Sequence, residues 1–130
     1  MVLDPDCVRD VLLSVEASSF GERITLNSLR DKIPQYSEET LWYTCLKLQE
    51  GGYLDLISAP VMRMPMPAIQ QIKGLTFYGH EFLDSIREDG NWGKVKSVAK
   101  KAGTFSIGSL GEIAKEIAKA AILSALQSTL

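Results

Sequence analysis

The chain has 130 residues, of which 45% are apolar and 23% are charged, and this balance excludes both a disordered polypeptide and a chain with two large domains. The net charge of −2 conceals an asymmetry, because residues 1–90 hold eight Lys/Arg against fourteen Asp/Glu, and residues 91–130 hold six against two. Two cysteines, Cys7 and Cys45, are too few and too far apart for a disulfide framework or a zinc site, so we expect buried free thiols.

The first third of the chain predicts two helices separated by a short strand. Asp4 is a suitable N-cap, and Pro5 is tolerated at the first helical position because its missing N–H has no partner there. Apolar residues at helical spacing follow. Residues 22–26 (ERITL) then predict a strand, and residues 27–33 a two-turn helix capped by Asn27.

A third helix is predicted over residues 38–50. Ser37 is its N-cap, and two glutamates complement the positive end of the helix dipole. Gly51 and Gly52 end it. The stripe expected to be buried consists of Leu41, Cys45 and Leu48.

A hairpin and a fourth helix follow. Residues 53–58 alternate apolar and polar side chains, which is typical of a half-buried strand, and residues 72–76 are predicted to return beside them. The connecting segment contains three prolines. Thr76 is placed to cap a helix that has His80 in its first turn. The side chains expected to face the core are Phe77, Phe82, Leu83 and Ile86.

This order of elements predicts a mainly α (α+β) fold: a winged helix-turn-helix core, a small β-hairpin wing centred on Arg63, and C-terminal helices. We assign residues 1–90 to the winged-helix domain. Residues 91–130 form a helical extension that packs on this domain or on a partner.

Three segments, "LDPDCVRDVLLSVE", "GLTFYGHEFLDSIRED" and "NWGKVKSVAKKAG", together resemble a family of small bacterial and prophage-encoded proteins known as domain of unknown function 2513. The resemblance covers nearly the whole chain, and the second segment is the most specific part. It implies a winged-helix core with C-terminal helices and a link to mobile elements. It implies no catalytic residues.

His80 is the only histidine and therefore the first residue to test for catalysis. A general base needs a nucleophile or carboxylate held in geometry, whereas Glu81, Asp84 and Glu88 are spaced as a solvated helix face. Metal-ligand, phosphate-loop and dinucleotide motifs are absent from the sequence. We therefore predict a protein that is not an enzyme and that binds no cofactor or metal.

Nucleic-acid binding is the usual role of a winged helix-turn-helix, but the predicted reading helix, residues 38–50, carries three glutamates and one lysine. A basic surface is expected instead on "NWGKVKSVAKKAG", where the alternative is a solvated face that keeps the protein soluble. The candidate nucleic-acid contacts are Thr40, Tyr43, Thr44, Lys47, Gln49, Arg63, Lys94, Lys96, Lys100 and Lys101.

Two segments are candidate protein interfaces. Methionines at every second position of the wing either form an adaptable contact surface or fold over the core. In the C-terminal helix, charges end at Lys119 and apolar residues then spread around the helix, which predicts burial on two sides. The candidate interface residues are Met62, Met64, Met66, Ile117, Ala121, Ile122, Leu123 and Leu126.

We therefore expect a cytoplasmic regulatory or accessory protein that acts through protein contacts and self-association. The alternative is a transcription regulator that binds DNA as a dimer. A peripheral membrane adaptor is the third hypothesis and is less favoured, because aromatic residues are absent from the C-terminal segment and few lysines flank it.

Overall fold

A computed structural model describes residues 1–129, which form six α-helices and one two-stranded sheet. In chain order these are α1 (Pro5–Glu16), α2 (Leu26–Lys32), α3 (Glu38–Glu50), β1 (Leu54–Ala59), β2 (Ala68–Leu75), α4 (Phe77–Ile86), α5 (Asp89–Ala102) and α6 (Ile107–Thr129). The predicted mainly α fold with one small hairpin is confirmed.

The start of α1 is as predicted, and the start of α2 is not. Asp4 caps α1 by accepting a hydrogen bond from the backbone N–H of Asp6 at 2.9 Å. At α2, Thr25 replaces the predicted Asn27 as N-cap, because Thr25 and Ser28 each accept the other's backbone N–H in a capping box. The helix therefore begins at Leu26, which shortens the segment available for the predicted strand.

The predicted strand at residues 22–26 is wrong. This segment makes only an isolated bridge, in which the N–H of Ile72 donates to the carbonyl oxygen of Ile24 at 2.8 Å. The side chain of Ile24 is buried, so this segment contributes one apolar residue to the core although it forms no strand. The capping box at Thr25 ends the extended backbone directly after it.

A first compact unit, Met1–His80, is built on α1 and α3. Helix α1 contacts α2, α3 and β2, and α3 contacts α2 and β1. The predicted stripe of α3 is fully buried, with Ser37 as its N-cap. The largest fully buried side chains of this unit are Leu12, Leu29, Leu41, Leu48, Leu54 and Ile72.

The hairpin is longer than the sequence predicted. Strand β2 begins at Ala68, four residues before the predicted start, and pairs antiparallel with β1. The connecting loop closes with a turn in which the N–H of Met64 donates to the carbonyl oxygen of Val61 at 3.1 Å. Arg63 in this turn has a left-handed backbone φ of 67°, a value that residues other than Gly and Asn rarely adopt.

Thr76 joins the hairpin to α4 as predicted. Its hydroxyl donates to the carbonyl oxygen of Gly52 and accepts the N–H of Gly79 at 3.1 Å. Its own N–H donates to the carbonyl oxygen of Tyr53 at 3.1 Å. One residue thus caps α4 and ties it to the start of β1.

Phe77 does not face the core, contrary to the prediction. Its side chain is 71% exposed and packs edge-on against Tyr78, with ring centroids 5.7 Å apart. The buried residues of α4 are Gly79, Phe82, Leu83 and Ile86, and Phe77 lies on the opposite side of this helix, roughly 180° from Ile86 at about 100° per residue.

A second compact unit begins at Glu81, within α4. In this unit α5 packs against α6. Helix α5 ends at Gly103, whose left-handed φ of 76° suits a C-cap glycine. The buried side chains of α5 and α6 are Trp92, Val95, Ala99, Leu110 and Ala114.

Candidate interaction surfaces

His80 lies at the edge of a cleft of about 510 Å³ in the first unit. Its side chain is 56% exposed, and its Nδ1 is 3.7 Å from a carboxylate oxygen of Glu16. The hydroxyl of Ser18 also lines the cleft, but it donates to the carbonyl oxygen of Ser14 and accepts from Lys32 at 3.0 Å. His80 therefore lies beside a carboxylate, and the Ser18 hydroxyl donates to a backbone carbonyl and not to either of them.

Two further observations concern reactive chemistry. Burial raises the pKa of Cys7 to about 11 and that of Cys45 to about 12, so both thiols are neutral at physiological pH. Among residues 1–129, no three His, Cys, Asp or Glu side chains are grouped so that they could hold a metal ion.

The exposed side of α3 is occupied by internal contacts. Lys47 forms an ion pair with Glu50 at 2.8 Å, which raises the pKa of the Lys47 amine, and this amine lies 5.5 Å from the ring centre of Tyr43. The side-chain amide of Gln49 donates to the carbonyl oxygen of Leu56 at 3.1 Å. The hydroxyl of Thr40 is 2.9 Å from that of Ser37.

Thr44 is withdrawn from the candidate nucleic-acid contacts, because its side chain is only 1% exposed. Its hydroxyl donates to the carbonyl oxygen of Thr40 at 2.7 Å and lies 3.5 Å from the sulfur of Cys7. Thr44 follows the buried stripe of α3 because it is three residues from Leu41 and four from Leu48, which places it on the same helix face.

The wing loop presents two of its three methionines to solvent. Met62 is 87% exposed, Met64 is about half exposed, and Met66 is half-buried. The indole N–H of Trp42 donates to the carbonyl oxygen of Pro67 at 2.7 Å, so α3 holds the base of the loop. The exposed tip consists of Val61, Met62, Arg63 and Met64.

The lysines of α5 are spread around the part of the helix that is not buried, with Lys96 at the edge of the buried side. Lys94, Lys100 and Lys101 are exposed, and Lys96 is half-buried with its amine 5.6 Å from the ring centre of Trp92. All four lysines belong to one helix, and three of them are exposed.

The end of α6 is exposed on all sides. Leu110 and Ala114 are buried and Ile117 is half-buried, whereas every residue from 119 to 129 is exposed. Ala121 is among these exposed residues, although it continues the buried stripe. The large apolar side chains of this segment, which we call the α6 end, are Ile122, Leu123 and Leu126, exposed by 60%, 58% and 57%.

The α6 end comprises residues 120–129 and contains no charged residue. The last charges before it are paired within the helix, Lys115 with Glu112 at 3.8 Å and Lys119 with Glu116 at 3.3 Å. Over residues 1–129, no helix combines the length and the apolar character needed to cross a bilayer. Leu130, which follows this segment in the sequence, lies outside the described residues.

Two contacts were missed by the sequence analysis. The bond from Trp42 to Pro67 joins residues 25 positions apart and has no local pattern. The exposed pair of Phe77 and Tyr78 was missed because an aromatic residue near a helix start was assigned to the core. A helical wheel drawn through the buried residues of α4 would have placed Phe77 on the outer side.

Comparison with known proteins gives a family but no activity. The profile of a family described as "Hypothetical protein (DUF2513)" matches residues 2–105, which ends two residues before α6. An uncharacterized protein of Haemophilus influenzae is 30% identical over 113 residues, covering 86% of this chain and 91% of that protein. No solved structure matches the chain. The resemblance noted in the sequence is thereby confirmed.

Proposed function

The chain belongs to the DUF2513 family of hypothetical proteins, and we propose that it is a non-enzymatic accessory protein that self-associates through the α6 end. The observation that carries this proposal is the exposure of Ile122, Leu123 and Leu126 on a continuous helix without charges. Exposed apolar patches on small proteins are typical of interaction sites. The exposed tip of the Met-rich wing is the second contact surface of this proposal.

Winged-helix organisation of the first unit is part of the proposal. Helices α2 and α3 are the closely spaced pair, the hairpin of β1 and β2 is the wing, and the bridge at Ile24 marks the position of the short strand. Lys47, the one lysine of α3, forms an ion pair with Glu50. This pairing supports a structural role for α3 and not the sequence-specific reading of DNA bases by this helix. A cytoplasmic location and an origin in a prophage also remain part of the proposal.

The energy available favours a reversible assembly. Full burial of a Leu or Ile side chain contributes about 1.5–3 kcal/mol. Three side chains per copy, each slightly more than half exposed, therefore provide on the order of 5–10 kcal/mol for two copies. Association itself costs about 4–15 kcal/mol. Even the most favourable combination of these values leaves about 6 kcal/mol, so we expect a dimer that forms only at tens of micromolar or above, not a permanent one.

Charge favours an antiparallel arrangement of the two α6 ends. In a parallel pair, Lys119 of one copy would face Lys119 of the other, and the same holds for Lys115 and Glu112. In an antiparallel pair centred between Ile122 and Leu123, Lys119 faces Leu126 and the charges form a polar rim at both ends. Like charges are thereby separated.

A second chain is favoured over a membrane surface as the cover for this segment. Residues 107–129 contain no aromatic residue, and the two lysines next to the α6 end are paired with glutamates. Binding at an interface usually depends on free basic side chains and aromatic anchors.

Light scattering across concentration tests the proposal on the full chain and on a chain that ends at Lys119. The full chain is expected to reach the mass of a dimer at high concentration, and the shortened chain to remain a monomer. Monomers in both cases would refute self-association, and flotation of the full chain with liposomes would support the membrane instead.

A further inference from the structure

The lysines of α5 differ from most other lysines of the chain in their helical neighbours. Lys47, Lys115 and Lys119 each have a glutamate three residues away and are paired with it. None of the four lysines of α5 has an acidic residue three or four positions away in either direction. No Asp or Glu occurs in the sequence from residue 90 to residue 111.

The outer side of α5 is open as well as basic. Gly93 and Ser97 lie between the lysines and are exposed, and a Cβ atom added at Gly93 would meet no other atom within 4 Å. The apolar side of the helix is buried. Lys94 and Lys101, one heptad apart, mark a strip of roughly 10 Å at a rise of 1.5 Å per residue.

We infer that this strip, the α5 lysine face, binds the phosphate backbone of duplex DNA without reading its sequence. Duplex DNA carries one negative charge per about 1.7 Å of its axis when both strands are counted, so a strip of roughly 10 Å runs beside about six charges, about three on each strand. Glycine and serine between the lysines allow a backbone to approach closely. This site lies outside α3, whose one lysine is paired with Glu50.

Duplex DNA suits this face better than a lipid surface or an acidic protein. Insertion into a membrane interface requires an apolar side next to the basic one, but Trp92, Val95 and Ala99 are buried in the fold. A protein partner requires an apolar centre within a polar rim, and Val98 is the one large apolar side chain exposed on the described α5. Binding to the phosphates of DNA depends on positive side chains, which the lysines of α5 supply, and needs no apolar centre.

The dependence on salt gives a quantitative expectation. Each phosphate contact contributes about −0.9 to the slope of log K against log salt concentration, so four lysines predict a slope of about −3.6. Raising salt from about 50 mM to about 200 mM would then weaken binding roughly 150-fold. Dissociation constants of about 10⁻⁴ to 10⁻⁶ M are typical of such non-specific binding.

Fluorescence anisotropy with a duplex of about 20 base pairs, two helical turns, tests the inference on the full-length chain. One variant replaces the lysines of α5 with glutamine (K94Q/K96Q/K100Q/K101Q). The matched control removes the same charge elsewhere (K32Q/K73Q/K115Q/K119Q). A third variant replaces the α5 lysines with arginine and keeps the charge. Circular dichroism confirms that each variant is folded.

We expect the wild-type chain, the control and the arginine variant to bind with steep salt dependence, and the α5 glutamine variant to bind at least about tenfold more weakly with a shallow slope. Absence of wild-type binding at about 50 mM salt would overturn the inference. Equal loss in the two glutamine variants would overturn it too, because total charge would then explain binding. Binding to phosphatidylserine vesicles but not to DNA, lost in the α5 variant, would assign the face to membranes instead.

Discussion

The carbonyl oxygen of Tyr53 occupies the space in which any side chain at Gly79 would begin, because a Cβ atom at Gly79 would lie 2.0 Å from that oxygen. The same oxygen accepts the N–H of Thr76 at 3.1 Å, so the hydrogen bond that starts α4 also holds it in place. Gly79 is therefore required for the close approach of α4 to the start of β1. The segment around His80 is explained by this junction.

Replacing Gly79 with alanine is expected to destabilise the protein, although alanine favours helices. The new methyl group must displace a hydrogen-bonded backbone, at a cost of about 1–3 kcal/mol that exceeds the gain in helix propensity of about 1 kcal/mol. Gly93→Ala in α5 is the matched control, because its Cβ meets nothing within 4 Å and should stabilise by about 0.5–1 kcal/mol. Urea denaturation measures both, and equal effects would contradict the account.

Thr76→Val is expected to cost about 1–3 kcal/mol. Valine keeps the shape of the side chain but removes the hydroxyl that donates to Gly52 and accepts from Gly79, so both backbone groups lose their partner. Thr76→Ser keeps the hydroxyl and is the control. Chemical denaturation should rank serine well above valine in stability, whereas a valine variant as stable as wild type would refute this role for the hydroxyl.

Stability is expected to fall as the pH rises from about 8.5 to about 10, because both cysteines are buried. The pKa values of Cys7 and Cys45 are raised to about 11 and about 12 by burial, so the folded protein keeps protons that the unfolded chain releases near its ordinary thiol pKa. The free energy of unfolding should decrease by up to about 1.4 kcal/mol per pH unit for each thiol.

Cys7→Ala and Cys45→Ala should each reduce this slope, whatever their effect on stability at neutral pH. The measurement is the free energy of unfolding at several pH values for wild type and both variants. A wild-type slope that is already flat across this range would show that the thiols titrate normally in the folded state.

Local patterns in the sequence were sufficient to predict most helices. Asp4, Ser37 and Thr76 each cap the helix that follows, and their hydrogen bonds span two or three residues, so short-range chemistry determines them. The error at α2 arose between two candidates two positions apart, Thr25 and Asn27. Thr25 is the N-cap because the Ser28 hydroxyl accepts the backbone N–H of Thr25 and completes a capping box.

Features that depend on distant residues could not be predicted in this way. Strand β2 starts at Ala68 because it pairs with Ala59 across the hairpin, and the proline-rich segment gave no signal for that pairing. The burial of Thr44 likewise depends on Cys7 in another helix. The loss of charge after Lys119 is visible in the sequence itself and predicted burial of this helix on two sides, whereas residues 119–129 are exposed in the structure.

The antiparallel arrangement of the α6 ends predicts a long distance between labels at residue 112. A nitroxide on Glu112→Cys would lie about 33 Å from its copy in an antiparallel pair centred between residues 122 and 123, and about 10 Å away in a parallel pair. The native thiols are buried and should not be labelled. Pulsed electron resonance distinguishes these distances, and a short one would refute the antiparallel arrangement without refuting self-association.

The most direct test of self-association places the same added charge on opposite sides of the α6 end. Ile122→Lys with Leu126→Lys changes the apolar side, and Ser124→Lys with Ser128→Lys changes the opposite side of the same turns. Sedimentation equilibrium across concentration measures the mass of each. We predict that the first pair remains a monomer at concentrations at which wild type and the second pair form dimers. Equal masses for the two pairs at every concentration would contradict the assignment of this surface.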